Sequence, residues 1–302
     1  MEENKDEETC LEERSSISSP HESLFFVLAY LPLFQLLSMT QVCKSIRDAI
    51  NNDILPWMNL IVEPPLSCRL TDDILIELVV SKAKGRLQIL ALINCVKITD
   101  DGLSRVVAQN PHITKLHVPG CTSLSPEGVI KAVKFLSENN HNLNTLEING
   151  IYGIHKEHLQ TLHKLINHNQ TQHNQDLNKI LYHEYTKSST LKHNDTNRPI
   201  DVDVCPKCDE VRMVFDCPRI HCECRGCDLC ITRCIECGIC LRGSDEEVEE
   251  SCCEDMLCLE CWLKLPKCNF CNKPYCNKHA DQQHRVLGSI GFVCDACHSN
   301  FN

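Results

Sequence analysis

The chain has 302 residues, which suggests two or three domains, and carries 41 acidic against 30 basic residues for a formal charge of −11. That sign opposes phosphate binding, so nucleic acid is not an expected partner. The longest apolar stretch, Leu24 to Leu37, is interrupted by Pro32 and is too short to span a bilayer, so no membrane partner is expected either.

Residues 1–17 read as a disordered acidic tail, with Glu2, Glu3, Asp6, Glu7, Glu8, Glu12 and Glu13 where a signal or transit peptide would carry basic side chains. The expected location is the nucleus or the cytoplasm, where thiols stay reduced.

Residues 18–58 hold three short helical patterns. Leu24, Val27, Leu28 and Leu31 share one helix face, followed by Leu33, Leu36 and Leu37 and then by Val42, Ile46, Ala49 and Ile50. Pro32 separates the first two runs because it cannot continue a helical hydrogen-bond ladder. Three helices this short cannot make an ordinary core alone and are expected to pack on another part of the chain. The string from Pro20 to Leu37, with its Leu31-Pro32 break, the Val42-Cys43-Lys44 cluster and Trp57 beyond, resembles an F-box. The resemblance implies docking on the Skp adaptor of Skp–cullin–F-box ubiquitin ligases. Pro20, Leu24, Leu28, Leu31, Pro32, Leu36, Leu37 and Val42 are the implied adaptor-binding residues.

Residues 59–168 repeat themselves. Leu87, Leu90, Leu92, Cys95, Ile98 recurs as Ile113, Leu116, Val118, Cys121, Leu124 and again as Leu143, Leu146, Ile148, Ile151, Ile154, a leucine-rich-repeat pattern. Thr71-Asp72-Asp73 echoes Thr99-Asp100-Asp101, which places a degenerate unit before them. Each unit reads as strand, turn and helix, and one unit cannot bury its apolar face without a neighbour. Cys95 and Cys121 fall on core positions, and Gln88, Thr114, Lys115, Asn144 and Thr145 on the strand surface. Residues 169–199 are a polar linker with few large apolar side chains and one short helical piece around Leu177 to Tyr185.

Residues 200–302 hold 19 of the 24 cysteines, mostly as C-x-x-C pairs. That spacing lets two thiolates converge on one cation, and two pairs complete the tetrahedral shell of zinc. Twelve cysteines, Cys205, Cys208, Cys217, Cys222, Cys224, Cys227, Cys230, Cys234, Cys237, Cys240, Cys252 and Cys253, make three sets of four. Cys258, Cys261, Cys268, Cys271, Cys276, His279, Cys294 and Cys297 make two more. The count is about five structural zinc ions at four ligands each. Overlapping pairs in the first twelve leave their partners open, and His221, His284 and His298 are alternates. Closed thiolate shells, with no H-E-x-x-H motif and no nucleophile beside a base, give no catalytic residue.

The last eight ligands resemble the cross-brace of PHD and RING fingers. That resemblance implies that Cys258 and Cys261 share a metal with Cys276 and His279, while Cys268 and Cys271 share one with Cys294 and Cys297. Over its whole length the chain resembles the plant F-box proteins described as Skp-interacting partners. The expected fold is multidomain α+β: a three-helix F-box, a short leucine-rich-repeat-like α/β stack and a zinc-stabilised small domain with a cross-brace. The implied function is non-enzymatic: a substrate receptor that joins adaptor and cullin to an unidentified target protein. The alternatives are an autonomous RING- or PHD-like ubiquitin ligase, or a chromatin-binding module with a cage from Trp262, Phe270 and Tyr275.

Overall fold

A computed structural model describes residues 23–140, 143–167, 179–187, 198–241, 248–284 and 291–300. The acidic tail, Pro20 and most of the polar linker lie outside the described residues.

Three helices open the described chain, α1 (Ser23–Leu28), α2 (Leu33–Met39) and α3 (Lys44–Asn52), followed by a 3-10 turn at Leu55–Trp57. Pro32 stands at the N-cap of α2, where its fixed φ and missing N–H suit the start of a helix. Leu28, Leu33, Leu36, Ile46, Ile50 and Trp57 form the buried side. The Trp57 indole donates to the Ile50 carbonyl at 2.7 Å. Asn59 Nδ2 donates to the Ala29 carbonyl at 3.0 Å, tying the helices to the first strand.

Four parallel strands follow in chain order, β1 (Asn59–Val62), β2 (Ile89–Leu92), β3 (Lys115–His117) and β4 (Thr145–Glu147). The intervening helices are α4 (Asp72–Leu78, continued by a π turn to Ala83), α5 (Asp100–Gln109) and α6 (Pro126–Asn140), and α7 (Lys156–Asn167) follows β4. Leu90, Leu116 and Leu146 stand in register and are buried under the helices. After β2, β3 and β4 the chain turns through a left-handed residue: Asn94 (φ 55°), Gly120 (φ 67°) and Gly150 (φ 82°). Asparagine and glycine are the residues that accept this conformation at least cost. The next residue, Cys95, Cys121 or Ile151, then drops into the core, and Cys121 Sγ donates to the Leu92 carbonyl at 3.1 Å.

The core does not end with α7. Ile180, Ile200, Val202, Met213 and Phe215 belong to the same apolar cluster as Leu28 and Leu90. At the open edge of β4, Leu146 donates to the Pro199 carbonyl at 2.8 Å and Asp201 donates back to Leu146 at 3.2 Å. Residues 199–201 thus cover a sheet edge that would otherwise present unpaired backbone groups. Helix α8 (Tyr182–Lys187) sets Tyr182 and Tyr185 against Phe215, with ring centroids 5.2 and 5.6 Å apart.

The cysteine region has little regular structure: the hairpins β5 (Asp203–Val204) with β6 (Val211–Arg212) and β7 (Val248–Glu250) with β8 (Met256–Cys258), then α9 (Leu259–Lys264) and α10 (Asp295–Ser299). Among the described residues no helix is long and apolar enough to cross a membrane.

Candidate functional site

Three C-x-x-C pairs are folded as the same knuckle. Cys205–Cys208, Cys234–Cys237 and Cys268–Cys271 are each followed by a left-handed residue, Asp209 (φ 64°), Gly238 (φ 75°) and Asn272 (φ 57°). The amides of these residues donate back to the carbonyls of Cys205, Cys234 and Cys268 at 2.9, 2.8 and 3.0 Å. Each knuckle meets a second pair. Cys205 and Cys208 face Cys227 and Cys230, Cys234 and Cys237 face Cys258 and Cys261, and Cys268 and Cys271 face Cys294 and Cys297. Cys258 and Cys294 are the N-caps of α9 and α10, so these thiol groups sit where helix dipoles favour negative charge. Cys217, Cys222, Cys224 and Cys240 form a fourth quartet.

The donor geometry fits tetrahedral metal binding. Metal–sulfur bonds of about 2.3 Å place two sulfurs of a tetrahedron roughly 3.8 Å apart. The Sγ–Sγ separations are 3.9 Å for Cys208–Cys227, 4.0 Å for Cys217–Cys240, 3.8 Å for Cys237–Cys258 and 3.7 Å for Cys271–Cys294. Backbone amides of Cys227 and Cys294 donate to the sulfurs of Cys205 and Cys268 at 3.3 and 3.4 Å, which stabilises thiolate.

A fifth cluster joins Cys253, Asp255, Cys276 and His279. Asp255 Oδ2 lies 3.4 Å from Cys253 Sγ, 3.1 Å from Cys276 Sγ and 3.1 Å from His279 Nδ1. These shorter edges suit the shorter metal–oxygen and metal–nitrogen bonds of about 2.0–2.2 Å.

The clusters divide the expected ligands differently from the sequence pattern. Cys258 and Cys261 belong with Cys234 and Cys237, not with Cys276 and His279, because α9 follows directly on β8 and turns both thiols toward the second knuckle. The division into twelve ligands and eight therefore does not hold. Cys268, Cys271, Cys294 and Cys297 do come together. Cys252 joins no cluster: Glu254 is left-handed (φ 63°), the turn swings Cys253 and Asp255 inward, and Cys252 Sγ donates to the Lys273 carbonyl at 3.2 Å. Asp255 has no place in a C-x-x-C pattern, and only its position two residues after Cys253 marks it. Two of the three aromatics of the cage reading are engaged otherwise: Tyr275 is buried against Phe292 with centroids 5.7 Å apart, and Lys267 covers the Trp262 ring at 4.3 Å, while Phe270 is exposed.

At the other end of the molecule, the expected adaptor-binding residues fall on two sides. Leu28, Pro32 and Leu36 are buried, Leu24 and Leu31 pack against the core, and Leu37 and Val42 are exposed. Phe26, Val27, Tyr30 and Phe34 are exposed as well. Phe26, Tyr30 and Phe34 lie off the apolar stripe of the sequence, whereas Val27 lies on it and is exposed against that expectation.

Comparison with known proteins agrees with both ends. Residues 20–62 match the F-box-like family model, and residues 201–270 match the model described as At3g27290 F-box protein C-terminal domain. The chain is 35% identical over 257 residues to F-box protein SKIP14 of Arabidopsis thaliana, covering 82% of this chain and 55% of the relative. It is 33% identical over 240 residues to Arabidopsis F-box protein At3g27290, covering 75% of this chain and 62% of the relative. It is 47% identical over 300 residues to Arabidopsis F-box protein SKIP28, covering 95% of this chain and 93% of the relative, and on that likeness the chain belongs to the F-box protein family that includes SKIP28.

Proposed function

We propose that this chain is the substrate-receptor subunit of a Skp–cullin–F-box ubiquitin ligase. The observation that carries the reading is the apolar face that α1, α2 and the following turn leave open, where Phe26 is 66%, Tyr30 69% and Val42 65% exposed. A group of large apolar side chains that no described residue covers marks an interaction surface. The Skp adaptor docks there and brings the cullin. Leu37 and Val42 then touch the adaptor, and Leu24, Leu28, Leu31, Pro32 and Leu36 shape the helices beneath.

The strand–helix units read as a short leucine-rich-repeat-like stack. The cysteine region reads as a zinc-stabilised domain of five structural ions, one for each cluster, in which the interleaving of the last two clusters is a cross-brace. These two parts present the target protein, in the nucleus or the cytoplasm, and the chain contributes proximity rather than a reactive group.

The test is binding of purified Skp adaptor to Phe34→Asp and Val42→Asp variants. Both side chains are exposed, so the fold and the zinc content are expected to survive while adaptor binding is lost. Wild-type affinity in the double variant rejects the reading. A second reading, an autonomous ligase, is favoured by Leu259, Leu263 and Phe270, which are exposed beside the metal clusters. It requires ubiquitin transfer without adaptor and cullin that is lost in Leu263→Asp.

A further inference from the structure

The fifth cluster differs from the other four in chemistry. Four quartets offer sulfur alone, whereas this one offers two sulfurs, a carboxylate and an imidazole. Its parts come from two places. The turn of the β7–β8 hairpin supplies Cys253 and Asp255, held by Ser251, whose buried hydroxyl donates to the Asp255 carbonyl at 2.8 Å and lies 3.0 Å from Cys253 Sγ. The short 3-10 segment Asn277–Gln282 supplies His279, and its N-cap is Cys276. The amide and the side chain of Asn277 donate to the Glu236 carboxylate, both at 2.7 Å, which pins this segment to the knuckle of Cys234 and Cys237. The hairpin turn and the pinned 3-10 segment thus bring the four donor atoms together.

We propose that Cys253, Asp255, Cys276 and His279 bind one zinc ion that exchanges readily, while the thiolate-only ions do not. Accessibility alone is not the reason, since Cys208, Cys230 and Cys271 in two of the thiolate quartets are exposed too. The donor set is the reason. A carboxylate is a harder and weaker partner for zinc than a thiolate and gives way sooner to a competing ligand. An ion with two thiolates and one carboxylate carries one negative charge less than an ion with four thiolates. Asp255 and His279 also keep 28% and 30% of their side-chain surface in solvent, so a chelator reaches the weaker bonds directly. Cys252 takes no part. The inference rests on the cysteine region carrying zinc.

The experiment uses the full chain, with zinc counted after gel filtration and its release followed during challenge with EDTA. The wild type is expected to hold five ions, one for each cluster, and to lose one in a fast phase and four in a slow phase. Asp255→Asn is expected to hold four and lack the fast phase. Asp255→Cys is expected to hold five and release all of them slowly. Cys252→Ser is expected to behave as wild type. Release of all five in one phase from the wild type overturns the proposal, and so does an Asp255→Asn variant that keeps five ions and the fast phase, or loss of an ion from Cys252→Ser. Four slow ions in the wild type overturn this site alone, whereas a zinc-free wild type overturns the zinc reading of the whole region. The wild-type phases separate these outcomes even where a variant fails to fold.

Discussion

Asp100 reaches across two successive units: its carboxylate accepts from the Ser125 amide at 2.9 Å and from the Ser125 hydroxyl at 2.6 Å. One unit earlier Asp72 does the same to Thr99, at 3.0 and 2.6 Å. The Ser125 and Thr99 hydroxyls in turn accept from the amides of Gly128 and Gly102, capping α6 and α5. The starts of α5 and α6 are thus each held by the acid of the preceding helix.

The glycines make room for those acids. A Cβ at position 128 would stand 2.0 Å from Asp100 Oδ1, and one at position 102 would stand 2.1 Å from Asp72 Oδ1. Alanine in a helix is worth about 1 kcal/mol over glycine. Displacing a packed carboxylate costs about 1–3 kcal/mol. Gly128→Ala is therefore expected to destabilise in urea titration. Combined with Asp100→Ala it should cost less than the sum of the two single changes, because the clash is gone. A stabilised Gly128→Ala would refute the clash.

The echo of Thr71-Asp72-Asp73 in Thr99-Asp100-Asp101 is visible in the sequence and marks the units. The contact is not visible, because the donating hydroxyl lies 25 or 27 positions onward and touches the acid only after the units stack. The cysteines show the same limit. C-x-x-C spacing marks the pairs, but Cys227 and Cys230 reach back over Cys217, Cys222 and Cys224 to Cys205 and Cys208, and nesting leaves no trace in local spacing. In the first helices the leucine period gives most of the buried stripe, but the exposed face holds residues that the period passes over, Phe26, Tyr30 and Phe34, together with Val27, Leu37 and Val42, which the period includes.

Arg233 illustrates a residue that pattern reading passes by. It is 4% exposed, and its guanidinium donates to the carbonyls of Phe215 at 2.9 Å and Cys224 at 3.1 Å and to Cys224 Sγ at 3.6 Å. A zinc ion with four thiolates carries a net charge of about −2, and a buried cation beside it offsets part of that charge. Arg233→Met is expected to lose one zinc ion per chain and about 3–5 kcal/mol of stability. Arg233→Lys keeps the charge without the fork, so it should retain the ion and melt lower. Full zinc content and an unchanged melting temperature in Arg233→Met would dismiss this role.

Lys267 closes the end of α9. Its ammonium donates to the carbonyls of Trp262, Leu263 and Leu265 and lies 4.3 Å from the centroid of the Trp262 ring. These carbonyls have no partner further along the helix, and a cation is favoured at a helix C-terminus. Lys267→Met keeps the stem but removes every donor. It is expected to cost about 1–3 kcal/mol and to change Trp262 fluorescence on folding. An unaltered emission spectrum together with wild-type stability would count against the cap.

Two buried acids at the edge of the sheet set a pH dependence. Burial, and then the neighbouring Asp201 carboxylate, push Glu147 up to about 8, although Lys115 pulls the other way. Burial pushes Asp201 up to about 6, held back by the amides of Ile148 and Asn149. With both values raised, the folded chain binds more protons than the unfolded one. Stability is then fully present below the ordinary carboxylate range and is lost as pH rises through about 6 and then about 8. Between pH 6 and 8 the wild type is expected to lose about 2 kcal/mol, since each proton and pH unit is worth about 1.4 kcal/mol. That window stays above the acid range in which protonated thiols would release metal. Glu147→Gln cannot ionise, so it should flatten most of the slope and be the more stable protein at pH 8. Urea midpoints at pH 6, 7 and 8 for both proteins test this directly: a wild type that gains stability across this range, or a Glu147→Gln slope equal to it, would show that Glu147 is ionised in the fold at neutral pH.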